Sequence, residues 1–110
     1  MTRWVVFGHL RTTPAWLALP RTERSRVAGA AFARALPDDR VSLRYFDAEA
    51  FSGRCTDVAM FETQDLAAYY FAIERLRDSP LFTIPYFEVV DIVPTLEDGF
   101  QAFEAAEAAA

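Results

Sequence analysis

Apolar residues recur along this chain in two rhythms. Alternation with period two marks strands, and spacing near 3.6 marks amphipathic helices. Trp4 to Leu10 is a compact apolar run that predicts a first strand. Thr12-Thr13-Pro14 ends it and starts a short turn of helix through Leu19, with Pro14 at a favourable first position. Pro20 opens a longer helix to about Leu36, whose buried stripe is Val27, Ala31, Phe32, Ala35 and Leu36. Arg21, Glu23, Arg24 and Arg26 then form a solvated first turn, and Pro37-Asp38-Asp39 stops the helix. Val41 to Asp47 alternates as a second strand, and Arg54 to Thr63 makes a third, with Ser52-Gly53 as the turn signal between them. Thr63-Gln64-Asp65 supplies caps for a second long helix, Leu66 to about Asp78, with Leu66, Tyr69, Tyr70, Ile73 and Leu76 or Arg77 inside. Ser79-Pro80 breaks it. Tyr86 to Val93 is a fourth strand ended by Pro94. Residues 95–110 are an alanine-rich helix or frayed tail anchored by Phe100 and Phe103.

The order β-α-β-β-α-β predicts an α+β protein of ferredoxin-like architecture with an antiparallel sheet. Its 110 residues suit a single domain.

Helices cover one side of such a sheet, so strand parity assigns each residue to a face. Taking the more apolar sets as the helix side gives Trp4/Val6/Gly8/Leu10, Val41/Leu43/Tyr45/Asp47 and Val58/Met60/Glu62. On the fourth strand the assignment of Phe87/Val89/Asp91/Val93 to that side is arbitrary; Asp91 there signals an edge or a slip in register. The opposite face then carries His9, Arg44, Asp57 and Glu88 among Phe7, Phe46, Phe61 and Tyr86. Such an aromatic face favours pairing with a second copy in a two-fold dimer, with an aromatic cavity for a small apolar or aromatic ligand between the two sheets.

Composition narrows the partners. The net charge is −5, the opposite of the basic footprint that binds nucleic acid or anionic membrane. All eleven basic residues are Arg, so Schiff-base catalysis by lysine is excluded. Cys55 is the single cysteine, which rules out an internal disulfide and fits a cytoplasmic setting. The start of the chain, Met1 to Phe7, lacks the apolar length of a signal peptide, and no run approaches a membrane span.

The segment Tyr45-Phe46-Asp47-Ala48-Glu49-Ala50-Phe51-Ser52-Gly53-Arg54-Cys55 resembles the darcynin family of small bacterial and fungal proteins. Matching stretches are Phe61-Glu62-Thr63, Ala67-Ala68-Tyr69-Tyr70, Pro85 to Ile92 and Thr13-Pro14-Ala15-Trp16-Leu17. The resemblance implies an uncharacterised protein related to the dimeric α+β barrel proteins, which include cofactor-free monooxygenases, cyclases and dehydratases. Some of those enzymes use active-site histidines. The second long helix here has none and offers Tyr69, Tyr70 and Glu74 instead.

His9 is the only histidine and the one side chain suited to proton transfer near neutral pH without help. The plainer reading, which a lone residue without a motif favours, is a half-buried strand histidine with one hydrogen bond. Arg44, Asp57 and Glu88 would hold an oxyanion and orient His9, or else form an ion pair that satisfies buried charge. Phe7, Phe46, Phe61, Tyr69, Tyr70 and Tyr86 would contact substrate, or simply pack. Asp47, Glu49 and Arg54 mark a lid or a ligand contact, or, as the plainer reading, a hairpin loop held by an aspartate turn. One His and one Cys do not make a metal site, and the four glycines are isolated, so neither metal nor nucleotide cofactor is expected. Two functions stay open: a cofactor-independent enzyme, or a non-catalytic binding or dimerisation module.

Overall fold

The computed structural model describes residues 2–110; Met1, part of the leader reading, lies outside them. Strand β1 (Trp4–Thr12) leads into the one-turn helix α1 (Pro14–Leu17) and then α2 (Arg21–Ala35). Strands β2 (Val41–Asp47) and β3 (Asp57–Thr63) form a hairpin, followed by α3 (Leu66–Arg77) and the one-turn α4 (Pro80–Thr83). Strand β4 (Phe87–Leu96) and helix α5 (Gly99–Ala109) complete the chain. The sheet is antiparallel in the order β2-β3-β1-β4, which is the ferredoxin-like α+β arrangement. No described helix is long and apolar enough to cross a membrane.

Local chemistry explains the joints. The Thr13 hydroxyl accepts from the Trp16 amide at 3.4 Å and caps α1. It also lies 2.9 Å from the Pro85 carbonyl oxygen and 3.1 Å from that of Tyr86, and can donate to either. The buried Thr13 thereby ties the end of β1 to the start of β4, 72 residues later. The Trp16 ring follows, at 4.9 Å from Phe87 and 5.4 Å from Tyr86. Arg24 is not solvated as its turn position suggests. Its guanidinium donates to the carbonyls of Trp16, Leu17 and Leu19 at the end of the short α1, the first of which also accepts from the Leu19 amide. Asp65 caps α3 by accepting from the Ala68 amide at 3.1 Å.

Helix α2 buries Val27, Ala31 and Ala35, with Phe32 and Leu36 alongside, the stripe its periodicity predicts. Helix α3 differs from expectation: Ala68, Ala72 and Leu76 are buried with Tyr69 and Ile73 beside them, while Leu66 and Tyr70 are exposed. The stripe is rotated toward Ala68 and Ala72.

Pairing corrects two face assignments. Val6 pairs with Phe61, Gly8 with Ala59 and Leu10 with Asp57, so the helix side of β3 is Asp57/Ala59/Phe61/Thr63. Val58, Met60 and Glu62 lie on the open face. Neighbouring strands in an antiparallel sheet align side chains face to face, and this overrides the apolar count of a single strand. On β4 the register shifts between His9 and Leu10. Phe87 and Val89 face the helices, but beyond the bulge Ile92 and Pro94 do, and Asp91 and Val93 turn to the open face. Pro94 does not end the strand. β4 is an edge strand, where a missing N–H costs no ladder bond.

Phe100 and Phe103 do not anchor the C-terminal segment; they are exposed, as is all of α5 beyond Gly99. The radius of gyration is 16.1 Å, against about 13 Å for a compact chain of this length, because α5 projects from the body.

Thr13→Val should lower the free energy of unfolding by about 1–3 kcal/mol, through loss of the α1 cap and of the hydroxyl's bond to the β4 entry. Urea denaturation checks this, and Thr13→Ser should recover most of the loss.

Candidate functional site

The sheet's helix-facing side has small residues at its centre. Gly8 on β1 lies directly across from Ala59 on β3, and the flanking positions of that row are Tyr45 and Ile92. Nothing tall rises from the middle of the floor, and the helices cannot close down on it. A cavity of about 340 Å³ results, within the usual range for small-molecule sites. Its floor is Gly8, Ala59, Leu10 and Phe61. Phe32 and Ala28 of α2 form one wall, and Tyr69, Ile73 and Leu76 of α3 form another. Leu81 and Phe82 of α4, with Trp16, Phe87 and Val89, enclose the rest. Aromatic rings support one another around it: Phe61 and Tyr69 meet edge to face at 5.7 Å, and Phe32 meets Tyr45 the same way at 6.3 Å.

Polar groups border this apolar space at few points. Tyr45, Asp47 and Asp57 come from the end of the β2–β3 hairpin. Arg77 comes from the last turn of α3, its guanidinium 5.8 Å from the centre of the Phe82 ring. The Tyr45 phenol is held well above the usual tyrosine range. Burial is the main cause, followed by the neighbouring Asp57 carboxylate, whose charge and accepting oxygens favour the protonated phenol, and then by the Asp47 charge. Burial also raises Tyr69. Both phenols are therefore neutral hydrogen-bonding groups throughout the physiological range.

The residues singled out from sequence divide between two faces and the exterior. Asp57, Phe61 and Tyr69 border the cavity, which moves Asp57 and Phe61 from the open face to the helix side. His9, Arg44, Glu88, Phe7 and Phe46 are on the open face, with the sheet between them and the cavity. Tyr86 is also not on the open face: it packs beside Trp16 against the core. Tyr70 points outward against Phe71.

On the open face, one row reads Phe46, Val58, His9, Asp91, and the next reads Arg44, Met60, Phe7, Val93. His9 thus sits opposite Asp91, while Glu88 pairs with Arg11. Arg44 is two strands and one row away, about 12 Å at the backbone by ordinary sheet spacing. Its guanidinium lies over Phe46, 5.3 Å from the ring centre. The four polar residues expected to cooperate are not gathered in one place.

The hairpin loop is built by Ser52, not by an aspartate turn. The Ser52 hydroxyl accepts from the amides of Arg54 and Cys55, and Arg11 donates to the Arg54 carbonyl. Cys55 is buried, as its reading as a small apolar residue predicts. Among the described residues no group of three or more His, Cys, Asp or Glu could hold a metal ion.

Asp47 was marked only as part of a lid, ligand-contact or loop segment, and Tyr45, Trp16, Phe32, Phe82 and Gly8 were not singled out as site residues by sequence reasoning. Two signals pointed to them. A glycine inside a strand marks a place where something approaches the backbone closely, and a Tyr/Asp pair on the helix-facing parity of β2 is out of character for a core.

The fold and the cavity under its helices define a class, the ferredoxin-like α+β proteins with a pocket between sheet and helices. Within it, the chain matches the family Darcynin, a domain of unknown function, over residues 2–110, and it belongs to that family. It is 63% identical over 65 residues to a darcynin of Chromobacterium violaceum, covering 59% of this chain and 82% of that one. It is 40% identical over 99 residues to a darcynin homolog of Streptomyces avermitilis, covering 86% and 78%. Among solved structures, a chlorite dismutase from Candidatus Nitrospira defluvii in complex with imidazole superposes with a TM-score of 0.71 at 8% identity, over 86% of this chain and 39% of that chain. A point mutant of the same enzyme gives 0.71 at 14% identity, over 87% and 40%. This chain spans well under half the length of those structures, and the likeness is one of fold.

The raised Tyr45 has a consequence at high pH. The folded state keeps a proton that the unfolded chain releases near pH 10, so this contribution to stability is whole below about pH 10 and is lost as pH rises further. The melting temperature should fall more steeply above that pH in the native protein than in Tyr45→Phe, as measured by circular dichroism across an alkaline series.

Proposed function

We propose that the protein binds a small, largely apolar or aromatic molecule in the cavity between its sheet and helices, and pairs the open face of the sheet with a second copy of itself. The observation that carries the binding reading is the cavity: about 340 Å³, walled by aromatic rings, with polar groups at few points. That volume suits a molecule of one or two rings, since an apolar cavity of roughly 150 Å³ already accepts benzene. The expected site thereby moves from the space between two sheets to the interior of each subunit.

The pairing reading rests on the open face, where Val5, Phe7, Val58 and Met60 form a half-buried apolar centre with the exposed Phe46 and Val93 at its edges. Phe100 and Phe103 add exposed rings on α5. A lone subunit leaves all of this in water. The single, buried Cys55 accords with a cytoplasmic setting.

The enzymatic form of the reading is cofactor-independent turnover of the same molecule. Of His9, Arg44, Asp57 and Glu88, only Asp57 borders the cavity, which supports binding ahead of proton transfer by His9. A role for His9 would be exercised on the open face, beside the dimer partner.

Titration of p-cresol into isotopically labelled protein should move the amide resonances of Ile73 and Leu81, which border the cavity, and not those of Arg44 and Phe46. Gly8→Val should weaken binding at least about tenfold. A Cβ at Gly8 meets only ordinary contacts of 3.8–3.9 Å, and Gly8 borders the cavity, so the added branch is directed at cavity space; thermal melting of the variant checks that the fold is kept. Shifts confined to the open face, or undiminished binding by Gly8→Val and by Ala59→Val, would move the ligand elsewhere. Light scattering tests the pairing: a mass twice the 12.4 kDa of one chain is expected, falling to one chain in Met60→Arg.

A further inference from the structure

The charges at the hairpin end of the cavity say more about its occupant. Asp47 and Asp57 are directly opposed across β2 and β3, on the helix-facing side, and both border the cavity. Residues so placed have their Cβ atoms about 5 Å apart, and like charges in that position repel. Asp47 is exposed and Asp57 half-buried, so water screens part of this repulsion, and a positive group between them would relieve the rest.

Among the described residues no ion pair supplies such a group. The ion pairs among the described residues are Arg3 with Glu62 and Glu97, Arg26 with Glu23, and Arg40 with Asp38. None reaches Asp47 or Asp57. There is no lysine, and the one histidine is on the far side of the sheet. Arg77, the cation on the helical wall, lies over the Phe82 ring. Tyr45, between the acids and the apolar floor, is a neutral phenol. Two carboxylates and a phenol oxygen form a set of acceptors, which is what the three N–H donors of an ammonium group require. Nearby rings, Phe32 beside Tyr45 among them, favour a cation over an anion. A metal ion needs more ligands than two carboxylates supply, and the described residues contain no larger cluster.

We propose that the molecule held in this cavity is an amine: its cationic nitrogen lies against Asp47 and Asp57, and its apolar body lies over Gly8 and Ala59. This rests on the binding reading above and assigns it a ligand class.

Three probes of one shape and different charge separate the two ideas by calorimetry at neutral pH: 2-phenylethylamine, 2-phenylethanol and 3-phenylpropionate. The amine should bind at least about tenfold more tightly than the alcohol. Asp57→Asn should reduce amine binding by a similar factor and leave the alcohol nearly unchanged, and Asp47→Asn should act in the same direction. Without ligand, either variant should melt at a higher temperature than the native protein, because the repulsion is gone. Equal binding of amine and alcohol, or amine binding indifferent to both variants, would overturn the amine assignment while leaving the cavity as a binding site. Tighter binding of the propionate, lost in Arg77→Gln, would also overturn it and place charge recognition at the helical wall. Failure of all three probes to bind would overturn the binding reading itself.

Discussion

The contact on which the rest of the structure depends is the crossing of Gly8 and Ala59 at the middle of the sheet. These residues face the helices from the two central strands, where a ferredoxin-like fold has most need of bulky side chains to hold sheet and helices together. With almost no side chain at that point, the core packs around the periphery of the floor, with Leu43, Phe61 and Val6 toward one end and Leu10 and Phe87 toward the other, where Trp16 and Phe82 meet the Phe87 ring. A gap lined by aromatic rings remains. A close-packed interior would make such a void costly, so the arrangement belongs with a site more readily than with a core.

The elements around the gap are held by specific polar joints, which give it rigid walls. Thr13 joins the β1 exit to the β4 entry, Arg24 closes the end of α1, and Asp65 fixes the start of α3. Each satisfies backbone groups that short helices and tight connections leave open. The same economy is absent at the end of the β2–β3 hairpin, where two carboxylates face each other beside a neutral phenol and no ion pair among the described residues meets them. Rigid apolar walls and an unbalanced electrostatic end are the two properties from which the binding reading and its ligand class follow.

The two faces of the sheet have separate tasks in this view. The helix side carries the cavity. The open side, with Phe7, Met60, Val58 and Phe46 around His9, carries the surface proposed for a second copy. The darcynin family match spans residues 2–110, and the likeness to chlorite dismutase structures is confined to the backbone arrangement. The chemistry therefore has to be read from these side chains.

Much of the fold was legible in the amino-acid order. The alternation of Val41 to Asp47, the 3.6-residue stripe of α2 and the caps around Pro14 and Asp65 are local features, and local sterics and hydrogen bonding determine them. The family resemblance was legible for the same reason, since it lies in contiguous segments such as Tyr45 to Cys55. Which face a strand residue occupies is a different kind of property. Phe61 and Asp57 turned to the helices because β3 aligns with Val6, Gly8 and Leu10, and Asp91 left the core side because one extra residue near His9 inverts the parity of β4. Periodicity within a strand identifies two sets of residues but does not say which set faces the helices. Pairing with neighbours tens of residues away decides that. The sequence by itself determined the elements, their order and the inventory of reactive groups; only the tertiary structure decided that Asp47, Asp57 and Tyr45 share one cavity while His9 lies behind it, because that depends on register across strands and not on any spacing along the chain.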